Sequence, residues 1–416
     1  MNAHQVVMTT FKNKWTIKSP SFLLSWLIIL PLSTHASFIE STIGTAVVND
    51  ATASYYNPAA LVLLKNSQII SQGTAANFRT RFTGQSTLKV TGITETGSSH
   101  SSTSYYAPSF YAGIPVSDRV TVGLAITTNS ANRNADENSI LRYAQASNTI
   151  QDFDVVPALA IKINPAFSIG GGLNFSYADF HLHPILRFPG ANIVDSESNN
   201  QSDGTGIGGN IGFLLKPGPT TVVGFNYRSI TTYRLSGTSI YEGTPRVVSN
   251  NYHYKLWTPA RSVLSINHFV TSKLGFITTI QRIQWSNLTN VHIYGIAGVS
   301  RNIPVILNGS VPYYLRDTWL FTLGTHYRIT PKWILRVAGN YNQSPGNPHY
   351  QIVNGNSVIL GASTGYQINK TVTIDGSYAH AFIGNENIRI NGARYNISGV
   401  NEGSRDSVSL KLTFNV

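Results

Sequence analysis

The sequence predicts an all-β protein: a transmembrane antiparallel β-barrel of about fourteen strands, its lumen plugged by a short N-terminal hatch. Three observations carry that expectation. The chain ends in SVSLKLTFNV, where Val408, Leu410, Leu412, Phe414 and Val416 alternate with Ser407, Ser409, Lys411, Thr413 and Asn415. Such a period of two marks a strand with one apolar face. Charged residues make up 12% of the chain, about half the ~25% usual for soluble domains. Short turns then alternate with long polar segments, the pattern of an outer-membrane barrel.

The elements follow in order. Residues 1–36 read as a secretory signal peptide. Lys12, Lys14 and Lys18 form a basic leading region, Phe22–Leu32 an apolar run, and Thr34-His35-Ala36 a small-residue cleavage site. The run is too short for a spanning helix, which takes about 20 apolar residues. No other stretch is apolar enough for one. Residues 37–66 do not alternate and are too few to fold alone, so they must pack on or inside the barrel as the hatch. Residues 67–416 form the barrel, from a first strand near 67–84 to a last near 405–416.

Within it, RVTVGLAIT sets Val120, Val122, Leu124 and Ile126 against Thr121, Gly123, Ala125 and Thr127. FSIGGGLNFSY, WLFTLGTHYRI, WILRVAGNY and TVTIDGSY repeat the device, with large apolar or aromatic residues on one face and small polar ones on the other. A soluble sandwich would hide the large face and cover its outside with Lys and Glu; a membrane barrel turns that face to lipid. Turns fall at 115–118, 163–166, 216–220, 271–273, 329–332 and 367–370. Long polar loops are expected at about 85–103, 128–151, 183–204, 235–252, 293–315, 342–356 and 383–404. An even strand number places both termini on the periplasmic side, and pairing of the last strand with the first removes every edge.

Inward parity places Arg228, Arg328, Arg336 and Lys411 in the lumen, with Arg79 and Arg81 if strand one keeps its register. Such cations either meet an anionic ligand or pair with Asp375, Asp317 or Asp406. Pro108, which cannot donate a ladder bond, and Gly123 beside it mark a kink or opening near strands two and three. Asn57-Pro58 reads as a rigid turn. With no Cys, disulfides and thiolate metal sites are ruled out. Eleven His show no metal spacing, so no metal or other cofactor is expected. Gly204, Gly206 and Gly209 fit G-x-G-x-x-G, but no helix follows; they read as lumen-face room for the plug. The net charge of +12 comes from cations spread singly along strands, which speaks against nucleic acid; Lys and Arg of the outer loops are expected instead to meet anionic lipopolysaccharide.

On specific residues, the chain resembles the FadL/TodX-type outer-membrane transporters of long-chain fatty acids and other hydrophobic compounds. Tyr56-Asn57-Pro58-Ala59-Ala60-Leu61 is similar to the NPA motif of that family's hatch. Residues 202–229 resemble its central hairpin, through Gly206, Gly208, Asn210, Gly212, Lys216, Pro217, Tyr227, Arg228 and Ser229. Residues 316–345 resemble another, through Arg316, Asp317, Trp319, Gly324, Tyr327, Arg328, Trp333, Leu335, Arg336, Ser344 and Pro345. Gln284-Trp285-Ser286 fits as well. Two features depart from the family pattern: the segment before Asn57 is short, and the last residue is Val416 where members carry an aromatic read by the barrel-assembly machinery.

The resemblance implies a passive, non-enzymatic, monomeric channel of the bacterial outer membrane. Ligand would be captured under the extracellular loops, pass the hatch and leave sideways at a kinked strand. A fatty-acid headgroup would be held by a lumen cation. Tyr55, Tyr56, Asn57, Pro58, Ala59 and Phe38 become hatch and gate candidates, with the turn at Asn57-Pro58 expected beside the exit. Three rival readings stand next to it: the same architecture carrying aromatic hydrocarbons, a surface adhesin, and a lipid-modifying barrel enzyme.

Overall fold

The computed structural model describes residues 37–89, 91–186, 195–300, 303–392 and 394–416; the expected signal peptide lies outside the described residues. Fourteen antiparallel strands close into one barrel. They are β1 (Gln68–Leu88), β2 (Ile93–Pro115), β3 (Val120–Ala135), β4 (Ser147–Lys162), β5 (Phe167–His183), β6 (Ser196–Gly218), β7 (Thr221–Arg228, then Thr231–Tyr241), β8 (Val247–Thr258, then Ala260–Phe269), β9 (Leu274–Gln284), β10 (Thr318–Thr330), β11 (Trp333–Asn342), β12 (Ser357–Gln367), β13 (Val372–Asn391) and β14 (Tyr395–Asn415). Between β9 and β10 an outer hairpin, Asn290–Ser300 and Ile303–Pro312, extends the wall and pairs with β8 at His253↔Tyr294.

Closure runs the full length of the first strand, from Gln68↔Asn415 to Leu88↔Tyr395. The terminal alternation therefore seals the cylinder. Its apolar members Val408, Leu410 and Phe414 are exposed, while Lys411 and Ser409 are buried in the lumen. Trp319, Phe321, Leu323, Phe175 and Leu335 are exposed likewise. A water-soluble fold would have hidden them; a bilayer covers them.

The expected loops at 85–103, 128–151, 183–204, 235–252, 293–315 and 383–404 are corrected: large parts of each are strand, whereas 342–356 carries none beyond Asn342. Above the bilayer the wall is no longer clad in hydrocarbon. Ladder hydrogen bonds persist there while the apolar period that betrays them does not.

Among the irregularities of the ladders, three fall at a proline. β2 and β3 pair at Tyr106↔Ser130 and next at Ser109↔Thr127, around Pro108. β4 and β5 pair at Val155↔Phe175 and next at Ala158↔Gly172, around Pro157. β7 and β8 pair at Thr231↔Thr258 and next at Arg228↔Arg261, around Pro259. Proline brings no N–H to a ladder.

The hatch folds from local signals. Ser37 caps α1 (Phe38–Ile43): its hydroxyl accepts from Ile39 N at 3.1 Å and donates to Glu40 at 2.6 Å, a capping-box spacing. The helix ends at Gly44, whose φ of +93° suits a residue without Cβ. A second short helix, α2 (Ala53–Tyr56), leads to Asn57 and a 3-10 turn over Pro58–Leu63.

Candidate functional site

The hatch divides the lumen into two chambers. The wall admits it at glycines. A Cβ on Gly212 would sit 1.9 Å from Asn57 Oδ1, on Gly224 1.9 Å from Ala46 O, and on Gly170 2.5 Å from Ala59 N. By contrast, Gly204 and Gly206 are crowded by the neighbouring strand at Arg234, Thr231 and Thr232, and Gly209 meets only Gly172 O at ordinary contact distance, so none of that trio faces the plug.

Asn57 is the central knot of the hatch. Its Oδ1 accepts from Ala59 N at 3.2 Å; its Nδ2 donates to Ala46 O at 2.6 Å and to Phe213 O at 3.2 Å. Pro58 follows as the first residue of the 3-10 turn. The turn thus seats against β5 and β6, away from the interrupted ladder at Pro108, which corrects its expected place beside that opening. The far end of the turn reaches β2 and β3 instead. A Cβ on Gly123 would meet Leu61 at 2.8 Å and Ser54 at 2.9 Å, so Gly123 is a seat for the hatch. Phe38 packs with Ala338, Ile359, Ala379 and Ala381, and one edge forms the floor of the outer chamber.

The predicted lumen cations fall into three groups. The first is bound to the hatch. Lys411 is 1% exposed, with Nζ 2.8 Å from Asp50 Oδ2 and 3.6 Å from Glu40 Oε1. Arg228 donates from Nη2 to Tyr55 O at 2.6 Å and lies over the Tyr55 ring at 4.0 Å. Arg261, directly opposite Arg228 in the ladder, reaches the Tyr55 hydroxyl at 3.3 Å. Tyr56 meets Tyr55 edge-on at 5.3 Å. Tyr55 is therefore clamped by two guanidinium groups and does not move without breaking that clamp.

The second group lines the periplasmic chamber, about 330 Å³ under the hatch. Arg336 pairs with Asp375 at 2.9 Å. Arg328 is exposed at the rim and donates weakly to Pro331 O at 3.4 Å. The third group is a correction. Arg79 and Arg81 are exposed on the outer wall, because β1 runs unbroken with Ile70, Gln72 and Phe82 facing inward. Keeping register thus gives the two arginines the opposite parity from the one expected.

The outer chamber, about 350 Å³, lies beneath the extracellular segments. Apolar groups including Phe78, Ile150, Ile283, Trp285, Leu288 and Leu315 line it. Two cations point into it that sequence reasoning missed, Arg133 on β3 and Arg405 on β14. They share one ladder row, Ala381–Arg405–Phe78–Thr103–Arg133–Asn148, across six adjacent strands. Among the described residues neither has a carboxylate within ion-pair distance; Arg405 lies beside Tyr105. A signal for Arg405 was present, since it shares the parity of Lys411. Arg133 was hidden in a segment read as loop. The chamber also reaches the Pro108 interruption, which Tyr105, Ala107 and Ala131 line from within.

Glu40 and Asp50 were likewise missed, although they are the sole carboxylates of the hatch segment and a lumen charge requires a partner. Among the described residues no group of three or more potential metal-ligating side chains occurs.

A closed barrel with a lipid-facing exterior, plugged by its own N-terminal segment and chambered on both sides, defines a membrane channel of the plugged-barrel class. A family profile described as "Outer membrane protein transport protein (OMPP1/FadL/TodX)" matches residues 42–414, and the chain belongs to that family. It is an outer-membrane channel for hydrophobic compounds; the family is one of transport channels, not enzymes. A Pseudomonas aeruginosa FadL homologue superposes with a TM-score of 0.78 at 18% identity, covering 89% of this chain and 95% of that one. The Pseudomonas putida toluene transporter TodX gives 0.67 at 15%, covering 91% and 97%. The Ralstonia pickettii toluene transporter TbuX gives 0.64 at 17%, covering 91% and 100%. No curated protein sequence matches the chain.

Proposed function

We propose that the chain, exported by its N-terminal signal and assembled as a monomer, takes up long-chain fatty acids. The observation that carries this is the pair Arg133 and Arg405, two inward guanidinium groups without carboxylate partners among the described residues, in an otherwise largely apolar chamber. A hydrocarbon ligand leaves such charges desolvated and unanswered, whereas a carboxylate answers them. Ligand enters beneath the extracellular segments, lays its tail along Phe78, Ile150 and Leu288, and leaves through the wall where Pro108 interrupts the β2–β3 ladder.

The test is oleate binding to the purified channel. Arg133→Ala and Arg405→Ala are each expected to weaken it at least about tenfold, one charge-assisted contact of about 1.5–3 kcal/mol being lost per change. Toluene binding should not move. Unchanged oleate affinity in the double variant rejects the carboxylate reading. Aromatic hydrocarbons are the second reading, supported by Trp285, Tyr105 and Tyr313 in the same lining; toluene binding tighter than oleate binding would favour it.

A further inference from the structure

The outer surface of β5 to β8 changes character in three successive rows. Phe175, Ile207, Thr232 and Trp257 share the first, facing outward as part of the apolar band. The next row toward the extracellular side is Tyr177–Thr205–Arg234–Lys255. The third is Asp179–Asp203–Ser236–His253, in which Asp203 accepts from the Tyr177 hydroxyl at 3.3 Å. The middle row therefore lies at the polar edge of the bilayer, where its tyrosine belongs.

Arg234 and Lys255 stand directly opposite each other on β7 and β8, both exposed and pointing out of the barrel. Like charges in that relation destabilise a sheet unless an anion lies between them. Among the described residues neither has an ion-pair partner. Arg81 on the far side of the barrel differs, because its ladder partner is Glu402, of opposite sign.

We propose that Arg234 and Lys255 form a phosphate-binding site for the phosphorylated glycolipid of the outer leaflet, lipopolysaccharide. The level fits, since the phosphates of such a lipid sit just above its acyl chains, as these cations sit just above Phe175, Ile207 and Trp257. Asp179 and Asp203 in the row above repel an anion placed higher and so hold the phosphate at the level of the cations. Tyr177 at the end of the row offers an amphipathic ring to the glucosamine–acyl boundary.

The probe is lipopolysaccharide truncated to its phosphorylated inner core, added to the purified full-length chain in detergent, with bound lipid counted by native mass spectrometry. Arg234→Gln/Lys255→Gln is expected to weaken binding about tenfold or more, while Arg79→Gln/Arg81→Gln stays within about twofold. The dephosphorylated lipid should bind the unaltered chain as poorly as the intact lipid binds the double variant. Oleate binding, which uses a different part of the molecule, should be unchanged and reports that the variant is folded. Equal lipid binding by the double variant overturns the site. So does indifference of the unaltered chain to removal of the phosphates, or full displacement of the lipid by inorganic phosphate alone.

Discussion

The outer and periplasmic chambers treat their deeper inward cations oppositely, the exposed rim residue Arg328 aside. Beneath the hatch, Arg336 has Asp375, and Lys411 has Asp50 and Glu40. Above it, Arg133 and Arg405 have no carboxylate among the described residues. The floor of one and the roof of the other are the same short helix. Phe38, Ser41 and Thr45 face the outer chamber, while Thr42 and Ile43 line the periplasmic one. Below the hatch Lys411 holds the plug and Arg336 stiffens the wall; above it Arg133 and Arg405 remain for a ligand. Inward parity does not separate these roles, whereas the presence of a partner does.

That contrast can be broken most violently at Lys411. Lys411→Met leaves Glu40 and Asp50 buried without their cation, a loss of about 3–5 kcal/mol in the docking of the hatch. Hydrogen exchange across residues 37–66 should then rise steeply, and unchanged protection would show that the ion cluster does not hold the plug. A sharper cut sets Arg336→Ala beside Arg405→Ala. The first should leave oleate affinity within about twofold, whereas the second loses at least about tenfold, because only the outer arginine answers a carboxylate. Equal effects would erase the distinction between the chambers.

Gly224→Ala drives a methyl group into Ala46 O and should cost about 1–3 kcal/mol by overpacking. Gly73→Ala, with nothing within 4 Å of the added carbon, should cost nothing measurable. The comparison is read as thermal unfolding in detergent. Pro108→Val restores a ladder donor at the interrupted β2–β3 seam. It should slow oleate uptake several-fold, a barrier change of about 1 kcal/mol, while equilibrium binding stays put. Arg79→Ala and Arg81→Ala close the series, with less than about 0.5 kcal/mol of stability and no change in oleate binding expected from exposed outer-wall positions.

The membrane strands were legible because lipid enforces a strict period on whatever faces it. Once the wall rises above the bilayer that enforcement stops, which is why β1, β2, β13 and β14 outrun the alternation and why Arg133 was hidden. Arg79 shows the same limit from the other side. The parity assumed for strand one suggested the lumen, but Phe78 and Thr80 are the residues that line it, since above the bilayer a cation is welcome on either face. The hatch was legible as a rigid turn at Asn57-Pro58. Its seat was not, because the glycines that receive it at 170, 212 and 224 look the same in sequence as Gly204 and Gly206, which serve strand packing.

By itself the sequence determined that this chain crosses a membrane as strands, closes on its own last residue and carries Arg228, Arg336 and Lys411 inward. Each of those follows from a repeat of two, a property that neighbouring residues settle among themselves. Only the tertiary structure decided which inward charge is already answered. Lys411 finds Asp50 across 361 positions, a distance spanned by closing the barrel and docking the plug. Electrostatic partnership depends on where those two events bring groups together, and no local pattern records it.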